Sequence, residues 1–176
     1  MKINIKLIIG LGNPGKEYEK TYHNAGFLFI DSLIEKIPDY KLQTTNYKLF
    51  KSDVYMNESG GFVAKTLKKR GIKPKEILIV HDDSDIEIGK YKISFGRGSA
   101  GHKGAESIIK NLGTKDFYRL RIGIQPQELR IKNKMNHKSE FRIRAGKIVL
   151  KKIRPQDLKI LNKVFEKITE TDLFNL

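Results

Sequence analysis

The strongest constraint on the fold is a repeated pattern. A short apolar run stops at a glycine or a polar turn, and a segment with helical period follows. Ile5-Lys6-Leu7-Ile8-Ile9 ends at Gly10 and reads as a buried strand. From Ala25, the positions Phe27, Ile30, Leu33, Ile34 and Ile37 fit one helical face, which Pro38 stops. Residues 47–55 alternate loosely and are β-like. Gly60 to Arg70 has helical spacing and closes on Lys68-Lys69-Arg70-Gly71, a basic last turn with a glycine cap. Ile77–Val80, Tyr91–Phe95 and Arg119–Ile124 predict three further strands. Helices are predicted after Gly104 and over Pro155–Ile168. Strands that alternate with helices define an α/β chain with a parallel or mixed sheet. In such sheets ligands bind beyond the carboxyl ends of the strands. That directs attention to residues 10–15, 81–85 and 96–104. The tract 125–146 is polar, basic and without pattern.

Composition narrows the chemistry. The 176 residues carry 35 Lys and Arg against 20 Asp and Glu, a net charge of +15. The first sixty residues hold 8 basic and 7 acidic side chains, the next sixty 13 and 7, the rest 14 and 6. The excess therefore lies in the later two thirds, where it suits a polyanionic partner. A solvated lysine-rich surface is the plainer alternative. There is no cysteine. Disulfides, thiolate metal sites and a thiol nucleophile are excluded. No apolar run reaches membrane-spanning length, and the interrupted N-terminal stretch is not expected to be an export signal.

Several short motifs also admit plain structural roles. Gly10-Leu11-Gly12-Asn13-Pro14-Gly15 matches a dinucleotide fingerprint by letter, but a polar stretch follows it and Asp31 falls within a helix. A tight strand-exit turn explains it better. Gly96 to Lys103 lacks the ending of a phosphate-binding loop, and Arg97 breaks the nucleophile-elbow pattern around Ser99. With no covalent nucleophile, water is the expected attacker in any hydrolysis. His23 is a candidate general base, since an imidazole titrates near neutral pH. His81-Asp82-Asp83-Ser84-Asp85 admits three readings: a carboxylate that orients an imidazole, a hard-cation site, or a turn at a strand exit. Asn57 is either a turn residue or an amide offered to a developing oxyanion.

As an ordered set these segments resemble the bacterial-type peptidyl-tRNA hydrolase family. The resemblance rests on residues 7–15 with Tyr18, His23-Asn24-Ala25-Gly26, Tyr55-Met56-Asn57-Glu58-Ser59-Gly60, and His81 to Asp85 with Gly89. Gly98 to Gly104, Leu112-Gly113, Asp116-Phe117 and Arg119 to Ile124 complete it. It covers about residues 5–124. It implies a single-domain α/β fold over residues 1–176, with a mixed twisted sheet flanked by helices on both faces. It also implies a cytoplasmic monomer without membrane contact, cofactor or metal. The implied reaction is hydrolysis of the ester that joins a peptide to the 3′ ribose of tRNA, recycling tRNA from aborted translation. His23 would activate water and Asp82 would hold His23. Asn13 and Asn57 would position the peptide, the 3′ end and the attacking water, and Tyr18 would help line the cleft. Arg121 would lie near the tRNA 5′ phosphate on the acceptor arm.

This chain departs from the family pattern at named positions. Lys103 stands where the family has an asparagine, offering charge and donors but no acceptor. A second basic residue near the 5′ phosphate would align with Ser94, and Lys92, two positions away on the same strand face, is expected to replace it. The chain is shortened between Ile37 and Tyr55. Lys103 motivates an alternative, a catalytically weakened or silent RNA-binding relative of the same fold, which the intact His23 and Asp82 oppose.

Overall fold

The computed structural model describes residues 4–36, 47–126, 146 and 148–171. Strand β1 (Leu7–Gly10) is followed by helix α1 (Ala25–Lys36), strand β2 (Lys48–Lys51) and helix α2 (Ser59–Arg70). Strands β3 (Ile77–Glu87) and β4 (Tyr91–Phe95), helix α3 (Lys103–Leu112), strand β5 (Tyr118–Gln125) and helix α4 (Pro155–Thr171) complete the order. The sheet runs β2-β1-β3-β5-β4. Its first three pairings are parallel and β4 closes the edge antiparallel to β5. The mixed α/β sheet expected from the strand–helix alternation is the one observed.

Strand β1 and the start of β3 are buried on both faces, which is why they read as continuous apolar runs. Ile8, Leu78, Val80, Leu120 and Ile122 pack against Phe29, Ile30 and Leu33 of α1 and Leu161, Phe165 and Ile168 of α4. On the opposite face Leu7, Ile9, Ile77 and Ile79 meet Val63 and Leu67 of α2 and Ile108 of α3. Two helices thus cover each face. Helices α2 and α3 end in left-handed glycines, Gly71 and Gly113.

Three sequence expectations shift. Helix α1 buries Phe29 and leaves Ile34 50% exposed, because α1 is wedged between the sheet and α4, where Phe29 meets Phe165 edge-on. The strand predicted to stop at Val80 continues to Glu87, so the polar run from His81 is strand rather than turn. The β-like stretch 47–55 contributes only Lys48–Lys51 to the sheet. Most of the unpatterned tract, residues 127–145, and Ile37 and Pro38 at the end of the first predicted helix, lie outside the described residues.

Candidate active site

The site is assembled at the carboxyl ends of β1 and β3. Helix α1 approaches both strands so closely that a Cβ on Gly26 would sit 2.4 Å from the Val80 carbonyl oxygen and 2.5 Å from that of Leu11. Only glycine permits this contact, and it sets the short 3-10 turn Tyr22–Asn24 beside β3. The turn is pinned from behind. The His23 N–H donates to the Val149 carbonyl at 2.8 Å, Thr21 bridges Lys152, and the Tyr22 hydroxyl donates to Asp157 at the start of α4.

Two imidazoles converge on one carboxylate oxygen. Nδ1 of His23 lies 2.8 Å from Oδ1 of Asp82, and Nε2 of His102 lies 3.0 Å from the same atom. The partners assign the tautomers. An ionised carboxylate only accepts, so His23 carries its proton on Nδ1 and leaves Nε2 with a free lone pair. His102 accepts the Ala105 N–H at Nδ1 (3.2 Å), capping α3, and so donates from Nε2. Behind them His81 donates from Nδ1 to the Asp82 carbonyl at 2.6 Å, with its ring centroid 4.3 Å from that of His102.

The electrostatics follow from these contacts. Burial opposes ionisation of Asp82, yet the charges and hydrogen bonds of His23 and His102 hold its carboxyl far below the usual carboxylate range. Burial alone would lower His23, but the Asp82 carboxylate outweighs it and raises the imidazole above its ordinary value, while the Lys103 ammonium pulls it back. Burial, then the charges of His102 and Arg119, keep His81 well below its ordinary value and therefore neutral.

The described part of the cleft has a volume of about 600 Å³, and both His23 and Asp82 line it. Asn13 is fixed by three bonds. Its N–H donates to Oδ1 of Asn24, its carbonyl accepts from Nδ2 of Asn24, and its own Oδ1 accepts the Met56 N–H at 2.8 Å. The Asn13 Nδ2 donors remain for a ligand. Asn57 is exposed in the 3-10 turn Met56–Glu58 on the cleft wall. Lys103 also lines the cleft, at the first position of α3. Two predicted residues stand apart from this wall. Tyr18 touches Tyr55, with ring centroids 6.2 Å apart, and Tyr55 is the one that lines the cleft. Arg121 donates from Nε to Oδ2 of Asp83 at 2.7 Å and reaches the cleft only through that carboxylate.

The hard-cation reading of the sequence does not fit these contacts. Asp82, Asp83 and Asp85 do not converge as hard-cation ligands, because Asp82 serves two imidazoles while Asp83 serves Arg121 and the Asp85 N–H. Donor atoms of His23, Asp82 and His102 do lie within 4.8 Å of one another. A metal on His102 Nε2 would move the proton to Nδ1, against the Ala105 N–H that this atom caps.

Four contributors escape a reading of the sequence. His102 sits in the Gly98–Gly104 motif, but only the fold reveals that it shares Asp82. Asn24 follows His23 directly, and its pairing with Asn13 needs the tertiary contact. Val149 and Leu150, from the stretch ahead of α4 to which the sequence assigned no element, form an apolar wall of the cleft.

An imidazole with a free Nε2, held by a buried carboxylate in an open cleft with amide donors, is the arrangement of a general base and fits a hydrolase. Comparison with known proteins narrows that class. The model of the peptidyl-tRNA hydrolase family matches residues 7–172. A peptidyl-tRNA hydrolase of Lawsonia intracellularis is 46% identical over 144 residues, covering 74% of this chain and 72% of that protein. One from Aquifex aeolicus is 38% identical, covering 94% and 86%. A crystal structure of peptidyl-tRNA hydrolase from Acinetobacter baumannii superposes with a TM-score of 0.77 at 32% identity, over 94% of this chain and 85% of that one. The chain belongs to the peptidyl-tRNA hydrolase family.

Proposed function

We propose that this chain, acting as one domain, hydrolyses the ester between a peptide and the 3′ ribose of tRNA, and so recycles tRNA from aborted translation. The observation that carries the mechanism is the free Nε2 of His23, oriented by its 2.8 Å bond to Asp82. Water bound at Nε2 gives its proton to His23 as it attacks the ester carbonyl. Asp82 stabilises the imidazolium that forms. The same proton passes to the 3′ oxygen as the tetrahedral intermediate collapses. Nδ2 of Asn13 and the Asn57 amide hold the carbonyl oxygen and the peptide backbone. Tyr18 acts by supporting Tyr55, and Lys103 meets the anionic 3′ end. The 3′ ribose oxygen, protonated as it departs, leaves readily enough that activated water suffices without a covalent intermediate.

Binding of the acceptor arm is assigned to β4 and β5. Lys92 lies directly opposite Arg121 across the antiparallel pair, whereas Ser94 lies opposite the buried Arg119. Asp83 already pairs with Arg121, and Lys92 adds a second cation on the same sheet face, so the two can meet a further anion together. The 5′ phosphate is the natural anion, and its recognition by charge suits RNA read through shape and backbone. Arg119 contributes structurally: its Nη2 donates to the carbonyls of Arg97 and Gly98 and fixes the loop ahead of His102. We place the enzyme in the cytoplasm as a monomer, acting in ribosome rescue. A silent RNA binder is the weaker reading, because the His23–Asp82 pair is formed. The test is release of N-acetyl-amino acid from N-acetyl-aminoacyl-tRNA by purified protein. Release at the same rate with and without EDTA is expected. Salt-sensitive binding without release contradicts the enzyme, and loss of release in EDTA contradicts the metal-free mechanism.

A further inference from the structure

A carboxylate turns easily about its last bond, because that torsion is broad and nearly two-fold. One hydrogen bond to His23 therefore does not fix Asp82. Its backbone is held from behind, where His81 donates to the Asp82 carbonyl at 2.6 Å. Its side chain is held by a second imidazole: Nε2 of His102 lies 3.0 Å from the same Oδ1 that His23 meets at 2.8 Å.

The His102 ring is itself locked. Its Nδ1 accepts the Ala105 N–H at 3.2 Å and caps α3, while its own N–H donates to the Ser99 carbonyl at 3.1 Å. The His81 ring lies beside it, with centroids 4.3 Å apart. A Cβ on Gly104 would come within 3.1 Å of its Cε1, so the helix backbone packs directly on the ring. The loop ahead of it holds Ala100 at a left-handed φ of 54°, and the buried Arg119 grips the carbonyls of Arg97 and Gly98. A loop kept in such a conformation is over-determined by its surroundings.

We propose that His102 is a positioning residue for the reaction: its Nε2–H pins the Asp82 carboxylate against His23, so that Nε2 of His23 stays aimed into the cleft. The proposal rests on the reading of His23 as the base. In the tautomer that the cap selects, His102 brings a dipole rather than a charge. The positive end of that dipole, set at Oδ1, offsets part of the field that Asp82 exerts on His23. His23 is thus held in place without its proton affinity rising to the full extent that a bare carboxylate would impose.

The neighbouring groups are committed elsewhere or exposed. On β3, Asp83 is paired with Arg121 and Asp85 is exposed. On β5, Arg119 serves the loop carbonyls. Lys103 and Glu106 in the first turn of α3 are exposed, as is Glu58 in the turn after Tyr55. Behind His23, Lys152 donates to the carbonyls of Lys16 and Glu19.

Two variants separate the two bonds of His102. In His102→Asn the amide oxygen takes the place of Nδ1 and can cap α3, but the side chain is too short to reach Asp82. In His102→Gln the amide nitrogen takes the place of Nε2 and restores a donor to Asp82. The His23 ring nitrogens are titrated by NMR without substrate, and kcat and KM on N-acetyl-aminoacyl-tRNA are followed against pH. His102→Asn should lower kcat about tenfold with KM kept. Its His23 midpoint and the acid limb of kcat/KM should both rise by about half a pH unit. His102→Gln should bring kcat back to within about threefold of the wild type and return both pH readings toward it. An unchanged His23 midpoint in His102→Asn overturns the proposal, even if kcat falls through altered contacts in the cleft wall. So does a loss in His102→Gln as large as that in His102→Asn, because activity then follows the ring or the cap rather than the bond to Asp82. A midpoint that shifts in His102→Asn and returns in His102→Gln, in a protein that never cleaves the ester, supports the positioning and refutes the hydrolase reading instead.

Discussion

Replacing Asp82 by asparagine separates catalysis from packing. The amide keeps the shape of the carboxylate and an oxygen that accepts from His23 and His102, now 2.8 and 3.0 Å from Oδ1. The negative charge is lost. Two opposite charges about 4 Å apart interact by about 4 kcal/mol at an effective dielectric constant near 20. That energy stabilises the imidazolium only after the proton transfer, so its loss falls on the transition state. It corresponds to a drop of about 10³ in rate, within the range of about 10² to 10⁴ that a positioned base contributes. The expected fall in kcat/KM is therefore about 10² to 10³. Residual activity should have its acid limb at lower pH, since burial and Lys103 now act on His23 unopposed.

Stability should respond differently. The charge-assisted bonds to Asp82, each worth about 1.5–3 kcal/mol, are offset by the several kcal/mol needed to bury a carboxylate. Near pH 7 the variant should unfold within about 2 kcal/mol of the wild type. At low pH the two should diverge. Asp82 is held below its unfolded value, so the stability it contributes is present above about pH 4 and is lost as the pH falls. The asparagine variant should be flatter in that window. Chemical denaturation and steady-state deacylation on the same preparation supply both readings. A folded variant with less than a tenfold loss of kcat/KM refutes the reasoning.

Two other substitutions address binding and assembly. Lys92→Ala should weaken tRNA binding and reduce the slope of log Kd against log salt by about one phosphate contact, with no change in the rate of a short acyl-adenosine ester; an unchanged slope removes Lys92 from the acceptor-arm site. Gly26→Ala forces a methyl into the Val80 and Leu11 backbone, so it should cost at least about 2 kcal/mol in urea unfolding and lower kcat by displacing His23. Full stability in that variant would show that α1 can retreat from β3 without penalty.

Much of this molecule is legible in its sequence because the information is local. β1 and the first half of β3 are buried on both faces, so their residue types alone mark them as strands. Gly71 and Gly113 close helices by a backbone conformation that few other residues adopt. His23, Asp82, Asn13 and Asn57 fall in short, ordered motifs. The parts that stay hidden depend on distant contacts. The second half of β3 is polar, and it remains a strand because Asp82 and Asp83 find partners in the turn before α1, on β5 and in the loop before α3. Phe29 is chosen over Ile34 by the position of α4, more than a hundred residues away. His102 gains its role by meeting Asp82, twenty residues distant. The excess positive charge is visible as a sum, while the pairing of Lys92 with Arg121 requires the register of β4 on β5.

The central claim is that His23 activates the water that attacks the ester. Single-turnover deacylation of saturating N-acetyl-aminoacyl-tRNA by His23→Ala tests it most directly, because tRNA binding and product release then drop out of the rate. The rate should fall by at least about 10²-fold with tRNA affinity retained. A single-turnover rate equal to that of the wild type would contradict it.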